Sequence, residues 1–201
     1  MTAEHMAFGR DLVELNEGFL GLVEHAPDAC LPAGVVARLR ALDRATRRRL
    51  AAAPFALFGF GFDDEAAWAG LLSPGVRDME PAYHACEASV ERFTLLALMV
   101  LRGFVRVAPD RASTWIGLTS GTRKRLAALE VGVLGNVAPL AAPRLRGRLA
   151  FREAYWLRLI DAAEHDDRRQ LALLTALGKQ WAIRRSLGLS APSRPVRGFR
   201  R

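Results

Sequence analysis

The chain repeats part of its own sequence, and this repeat limits the fold more than any other feature. Sliding the 201-residue sequence against itself by 87 residues pairs 31–72 with 118–159 without a gap. Eight of these 42 pairs are identical, and replacements such as Trp68 by Tyr155 keep size and polarity. Repeats at a fixed spacing are typical of one structural unit used more than once. The pattern predicts two degenerate copies of one helical unit, with chance similarity between two Leu/Ala-rich stretches as the alternative.

Hydrophobic spacing predicts an all-α fold. Phe8, Leu12, Leu15 and Phe19 recur at steps of three and four, as on one stripe of an amphipathic helix, and no segment alternates with a period of two. A hydrophobic fraction of 51% argues against disorder throughout the chain. The Gly/Phe run 55–62 is expected to be a loop or a short extended piece. The predicted helices are 4–24, 33–42, 45–53, a short helix capped by Asp63 and reaching Leu72, 82–107, a short helix opened by Pro109 and Asp110, 120–128, 130–138, 150–163 and 167–187.

Charge divides the chain near a predicted boundary at 73–81. The first 91 residues carry 8 basic and 14 acidic side chains, net −6, and the remaining 110 carry 21 and 7, net +14, which together give the overall +8. We expect four segments: an acidic first unit over 1–75, a basic second unit over 82–163, a C-terminal helix over 164–189 and a disordered basic tail over 190–201. Such asymmetry indicates that the second half faces a polyanion, or that the two halves of different copies meet. A solvated arginine-rich surface is the alternative.

Short motifs in the two copies match one known family. In the second copy, within 95–138, the matching residues are Asp110, Arg111, Ala112, Ile116, Gly117, Leu118, Leu126, Leu129, Val137 and Ala138. In the first copy the segment 14–20 matches, together with Leu50, Ala51, Phe60, Phe62, Asp63, Asp64 and Leu72. Through these residues the chain resembles the FlhD family of flagellar transcriptional regulators.

The chain also departs from that family. The family's arginine between two phenylalanines is Gly61 here, and its subunit-joining cysteine is Phe58 in the first copy and Leu145 in the second. A covalent dimer of the family type is therefore not expected. Since the family chain contains one such unit and this chain would contain two, we expect that it can form a pseudo-dimer by itself.

The resemblance implies an all-α, FlhD-like transcriptional regulatory protein that acts through protein assembly and DNA association. Its expected assembly is a homo-oligomer or a complex with a partner regulatory subunit, which would supply much of the DNA contact and a zinc site. Control of motility genes would be the corresponding role. The alternative hypothesis is a helical interaction adaptor that binds a regulator or an acidic partner without touching DNA.

Basic side chains of the second half are the candidate DNA contacts. Two groups are singled out: Arg123, Lys124 and Arg125 near the start of a predicted helix, and Arg144, Arg146 and Arg148 after it. Arginine and lysine at a helix N-terminus suit phosphate binding, because backbone N–H groups approach the same anion. Solvated surface is the alternative for each group.

Other functional classes find little support in the sequence. His25, Cys30, His84 and Cys86 do not have the spacing of a known zinc site, so no metal or cofactor is expected. No nucleophile elbow, phosphate loop or HExxH motif occurs, so we expect neither an enzyme nor a small-molecule ligand. Two cysteines are too few for a disulfide framework, and the N-terminus lacks the basic and apolar regions of a signal peptide, so a cytoplasmic protein is expected. The most apolar run, 93–107, is shorter than the ~20 residues that cross a bilayer and is expected to be a core helix.

Overall fold

The structure, a computed structural model, describes residues 3–25, 30–77 and 89–186. It is all-α, which confirms the predicted fold class. The helices are α1 (Ala3–His25), α2 (Ala33–Ala41), α3 (Arg44–Ala51), α4 (Glu65–Leu71), α5 (Pro74–Arg77), α6 (Ser89–Val107), α7 (Pro109–Ile116), α8 (Ser120–Ala128), α9 (Leu134–Ala141), α10 (Glu153–Glu164) and α11 (Arg168–Ser186). Strands β1 (Phe58–Gly59) and β2 (Arg146–Gly147) form a short antiparallel ribbon, and a 3-10 turn spans Ala142–Arg144. The start of the helix predicted over 82–107 and the tail predicted over 190–201 lie outside the described residues.

Side-chain caps explain where several helices begin. Thr119 accepts a hydrogen bond from the Thr122 backbone N–H at 3.2 Å before α8, and Asp43 accepts one from the Thr46 N–H at 2.7 Å before α3. Both bonds satisfy a backbone donor that has no partner inside its helix. The prediction for α4 was wrong by one residue: Asp64, not Asp63, accepts from the Ala67 N–H at 3.0 Å.

Three other boundaries differ from the prediction. The helix predicted over 130–138 begins only at Leu134, because 131–133 form a turn. The helix predicted over 150–163 begins at Glu153. The turn predicted around Pro74 contains the single-turn helix α5. In the first two cases the hydrophobic pattern located the helix and local backbone geometry set its start.

The first part of the repeat has the same backbone geometry in both copies. Helices α2 and α8 have the same length and begin 87 residues apart. Each ends in an extended residue, Leu42 or Leu129, whose N–H donates to the carbonyl of Leu39 or Leu126, both at 3.3 Å. The copies therefore agree here in hydrogen bonding as well as in sequence.

From the ribbon onward the copies correspond with an offset of 88, so the expected gapless pairing is wrong there. Gly61 and Leu149 both adopt positive φ, at 64° and 57°. The indole N–H of Trp68 and that of Trp156 each donate a hydrogen bond to the backbone carbonyl eight residues earlier in the chain. Trp68 therefore corresponds to Trp156 and not to Tyr155. The extra residue falls between the end of α8 and the ribbon, where the turn at 131–133 precedes α9.

The two copies pack against each other reciprocally. Gly34 of α2 lies against the Glu153 carboxylate at the start of α10, and Gly121 of α8 lies against the Glu65 carboxylate at the start of α4. A Cβ at either glycine would overlap a carboxylate oxygen. Because the residue numbers differ by 87 and 88, this is one contact made twice with the copies exchanged. A symmetric dimer has the same kind of isologous interface.

The copies also share one hydrophobic core. Phe58 in the first copy packs edge-on against Phe93 in the second, with ring centroids 5.0 Å apart, and Phe19 of α1 lies 5.8 Å from Phe58. The antiparallel ribbon joins the copies at Phe58 opposite Gly147. The core thus passes through the predicted boundary between the two units.

Helix α11 extends the second unit and packs on α10 and α7. Gly178 allows this contact, because a Cβ there would come within 2.5 Å of the Tyr155 hydroxyl. The Tyr155 hydroxyl donates to the Leu174 carbonyl at 3.1 Å, and its ring meets Trp181 edge-on at 5.6 Å. The helix begins one residue after the predicted start at 167, and its predicted end at 187 lies outside the described residues.

Candidate functional site

The first basic group surrounds the start of α8, and two of its three members serve internal contacts. Arg123 donates to the Pro109 carbonyl at 2.9 Å and to the Asp110 carboxylate at 3.3 Å. Arg125 lies 3.6 Å from the Glu65 carboxylate, across the contact between the two units. Lys124 is exposed, and no ion pair is found for it among the described residues. Lys124 is thus the member of this group that remains available to a partner.

The second basic group lies along the ribbon and separates into three different environments. Arg144 pairs with Asp64 of the first unit at 2.8 Å and donates from Nε to the Phe60 carbonyl at 3.4 Å. Arg146 is exposed, and its Nη1 bonds only the nearby carbonyls of Pro143 and Leu145, at 3.0 and 2.7 Å.

Arg148 is a correction to the predicted set of DNA contacts, because its side chain is buried. The residue is only 9% exposed, and its guanidinium donates to the carbonyls of Trp115, Ala56 and Thr114. Burial lowers the pKa of Arg148 to about 10, since the charged form loses hydration. This arginine joins the ribbon to the end of α7 and does not present its charge on the outer surface.

The opposite charges of the two halves meet inside one molecule. Arg38 of the acidic half pairs with Asp161 at 2.8 Å and with Glu164 at 2.7 Å on α10. In the other direction, Asp64 pairs with Arg144 of the basic half. Only the Asp64–Arg144 pair and the Glu65–Arg125 pair follow the charge asymmetry seen in the sequence, whereas the pairs of Arg38 run against it. Each of these pairs is partly exposed, so its contribution to stability is small.

A cavity of about 520 Å³ opens beside the ribbon. Its lining includes Arg144, Arg146 and Arg148, the glycines of the ribbon, and Gly117 of the α7–α8 turn. Phe151, which is 66% exposed, lies at its edge. The Arg148 guanidinium, however, bonds the carbonyls of Trp115, Ala56 and Thr114, and these three residues are not part of the cavity's lining.

Metal ligands do not cluster in the part of the chain that the structure describes. Cys30 is buried with a free thiol, and burial raises its pKa. His25 bonds the Gly21 carbonyl at 2.9 Å. His84 and Cys86 lie outside the described residues. Within the described ranges, no helix has both the length and the apolar character needed to cross a membrane.

Comparisons with protein-family models, with curated proteins and with solved structures find no match for this chain.

Asn16 is an organising residue that the sequence analysis did not identify. It is fully buried on α1, and its amide donates to the carbonyls of Ala51 and Phe55, both at 3.0 Å. Its carbonyl oxygen accepts from the Leu57 N–H at 2.9 Å. These bonds hold the segment that leads into β1, and thereby one wall of the cavity. The sequence signal is a lone polar residue between Leu15 and the other apolar positions of an amphipathic stripe.

Proposed function

We propose that the chain is a transcriptional regulatory subunit of the FlhD type, which assembles with a partner subunit and associates with DNA through its second unit. The observation that supports this most directly is the reciprocal packing of Gly34 on Glu153 and of Gly121 on Glu65. A chain with two such units contains both halves of a symmetric interface. One chain can therefore form the surface that a dimeric regulator forms from two identical units, without a second copy.

Divergence between the two units supports a division of labour. Phe58 and Phe60 of the first unit are buried aromatic residues, whereas their counterparts in the second unit are Arg146 and Arg148. The exposed basic side chains Arg146 and Lys124 both belong to the second unit. We therefore propose that the second unit contacts DNA. The first unit, which carries the acidic charge, would contact the protein partner.

A salt-dependent titration tests the DNA part. Fluorescence anisotropy with a labelled duplex at two salt concentrations should give a binding constant that falls as salt rises, by about 0.9 log units per log unit of salt for each phosphate neutralised. In the double variant Lys124→Glu/Arg146→Glu, affinity should fall and this slope should become shallower. Both side chains are exposed, so the fold should persist.

The matched control reverses two exposed arginines of the first unit, Arg10→Glu/Arg44→Glu. It changes net charge by the same amount but leaves the proposed surface intact. Equal loss of affinity in both variants would mean that only net charge matters. Absence of binding at low salt would remove the DNA part of the proposal.

A second candidate function, an adaptor that does not touch DNA, is favoured by the internal use of most candidate contacts. Arg123, Arg125 and Arg144 pair with carboxylates, and Arg148 is buried. Leu96 and Met99 are 55% and 45% exposed on one side of α6. Large exposed apolar side chains that lie together are typical of protein-binding surfaces.

Purification from native cells distinguishes the two functions. A nuclease-resistant complex with an acidic protein, unaffected by Lys124→Glu/Arg146→Glu but lost in Leu96→Asp/Met99→Asp, would favour the adaptor. Recovery of DNA with the wild type but not with the first variant would favour the regulator.

A further inference from the structure

Another cavity forms a groove between helix α11 and the chain segment that follows α3. Its volume of about 770 Å³ lies within the range of about 300–1,000 Å³ that is common for ligand pockets. Alanine side chains are short, so they leave open space between the helix and the segment opposite it. The apolar part of the lining consists of Ala52, Ala53, Pro54, Leu171, Ala172 and Ala176.

The charged residues of the lining lie towards the two ends of the groove. At the end where α11 begins, Arg168 lies 3.9 Å from the Asp166 carboxylate, and Arg49 donates to the Ala163 carbonyl at 2.8 Å. Lys179 lies about 16 Å further along α11, since a helix rises about 1.5 Å per residue. The first end therefore contains its own carboxylate, and the Lys179 end is the place for an external anion.

Lys179 is a partly buried cation without a counter-charge. Its Nζ lies 5.5 Å from the centre of the Trp115 ring, and this cation–π contact gives its N–H donors no hydrogen-bond acceptor. Among the described residues, no carboxylate pairs with Lys179. Burial, and after it the positive charge of Arg148, lowers the pKa of Lys179. An anion beside Lys179 would offset both effects, because it stabilises the ammonium.

Thr175 provides a second donor next to Lys179. Only 7% of its surface is exposed, and it lines the groove. Within the described part of the chain, no hydrogen bond is found for its hydroxyl. Residues four apart on a helix are neighbours on one face, so the Thr175 hydroxyl and the Lys179 ammonium can donate to the two oxygens of one carboxylate. Ala172 precedes Thr175 by about one turn and continues the apolar lining towards Arg168.

We propose that this groove binds a medium-chain fatty acid, with its carboxylate at Lys179 and Thr175 and its alkyl chain along the apolar lining. One ammonium and one hydroxyl suit a single negative charge, which is the charge of a carboxylate. The alkyl chain is bound because it and the apolar side chains it covers are removed from water. Neither residue belongs to the DNA surface proposed at Lys124 and Arg146, so this inference does not depend on the proposed function.

Isothermal titration calorimetry of the full-length protein tests the groove with decanoate, octanoate, decanol and acetate, all below any micelle concentration. Decanoate is expected to bind about tenfold more tightly than decanol, which lacks the charge. It should also bind about tenfold more tightly than octanoate, which buries two fewer CH₂ groups. Acetate, which lacks the chain, should bind weakest. Equal affinities for decanoate and decanol, or for decanoate and acetate, would overturn the proposal.

Nuclear magnetic resonance locates the carboxylate, because the chain contains two lysines, Lys124 and Lys179. Reductive methylation with ¹³C-formaldehyde gives each lysine its own signal and keeps its charge. Decanoate should shift the Lys179 signal and raise the pH at which it titrates, while the Lys124 signal stays in place. Equal shifts of both signals would show nonspecific association and would contradict the proposed site.

Variants test the two parts of the site separately. Lys179→Met removes the charge but keeps a long apolar side chain over Trp115, and it should weaken decanoate binding about tenfold, whereas Lys179→Arg should retain most of the affinity. Ala176→Phe fills the groove from an exposed position and should also weaken binding about tenfold. The matched controls Arg92→Met and Ala128→Phe change exposed residues outside the groove and should bind like the wild type. Wild-type affinity in Ala176→Phe, or an equal loss in variant and control, would overturn the proposal.

Discussion

Trp68 and Trp156 occupy equivalent positions in the two units and make equivalent hydrogen bonds. The Trp68 indole Nε1 donates to the Phe60 carbonyl at 3.1 Å, and that of Trp156 donates to the Arg148 carbonyl at 2.8 Å. Both side chains are fully buried. Each bond therefore fixes the turn that follows a strand of the ribbon. The helix after that turn, α4 in the first unit and α10 in the second, is thereby held in contact with the other unit.

Replacing either tryptophan by phenylalanine should destabilise the protein to a similar degree. Trp68→Phe and Trp156→Phe each leave a buried carbonyl without its donor and a small void, which costs about 1–3 kcal/mol. Urea unfolding followed by far-ultraviolet circular dichroism measures the change in the free energy of unfolding. A large loss in one variant with no loss in the other would contradict the equivalence of the two positions.

The ribbon glycines should respond differently although they correspond to each other. A Cβ at Gly147 would overlap the buried side chain of Leu31 and come within 3.0 Å of the Cys30 carbonyl, whereas Gly59 has open space beside it. Gly147→Ala should therefore lower stability by about 1–3 kcal/mol through overpacking. Gly59→Ala, the matched control, should stay within about 0.5 kcal/mol of the wild type. Thermal unfolding of both variants measures this difference, and equal melting temperatures would contradict it.

The sequence predicted the helices well because their apolar stripes are regular, but it located the second half of the repeat incorrectly. The 87-residue offset relates α2 to α8. One added residue before the ribbon in the second copy then makes the offset 88 for every later pair, such as Gly61 and Leu149. Sequence identity at Leu72 and Leu159 favoured the gapless pairing. The hydrogen bonds of Trp68 and Trp156 and the positive φ of Gly61 and Leu149 reveal the shift.

The candidate DNA contacts were the least predictable feature, because an arginine's charge does not reveal its partner. Arg144, Arg146 and Arg148 look alike in sequence, yet one pairs with Asp64, one is exposed and one is buried among carbonyl groups. Those partners come from the first unit and from the end of α7, more than 30 residues away in each case. Long-range packing of this kind has no local signature in the sequence.

Asn16 should be a stability determinant even though it lies far from the exposed surface. Asn16→Leu would keep a similar volume but leave the Leu57 N–H and the carbonyls of Ala51 and Phe55 without their partner. Each buried unsatisfied group costs about 1–3 kcal/mol, so the variant should be among the least stable in the chain. Leu15→Met, a change of the neighbouring buried residue that conserves volume, should cost less than about 1.5 kcal/mol. Urea midpoints for both variants, if similar, would refute this role for Asn16.

The Tyr155 hydroxyl should ionise only at unusually high pH. Burial raises the pKa of Tyr155 to about 12, because the phenolate would lose its hydration; nearby Arg148 opposes this shift only in part. The chain contains one other tyrosine, Tyr83, so Tyr83→Phe isolates the signal. Near-ultraviolet absorbance of the phenolate should then show a midpoint near pH 12 in the folded protein and near pH 10 in urea. A folded midpoint near 10 would contradict the burial of this hydroxyl.

The same shift predicts how stability depends on alkaline pH. The folded pKa lies above the unfolded one, so the contribution of Tyr155 is complete below pH 10 and is lost as the pH rises through 12. Arg148, whose pKa is lowered to about 10, acts in the opposite direction over this interval, because it loses its proton first in the folded state.

Tyr155→Phe removes the effect of Tyr155 on the pH dependence of stability and keeps that of Arg148. The variant should lose about 1 kcal/mol at neutral pH with its bond to the Leu174 carbonyl, and its stability relative to wild type should then rise between pH 10 and 12. Urea unfolding at a series of pH values measures both, and parallel profiles for the two proteins would refute the linkage.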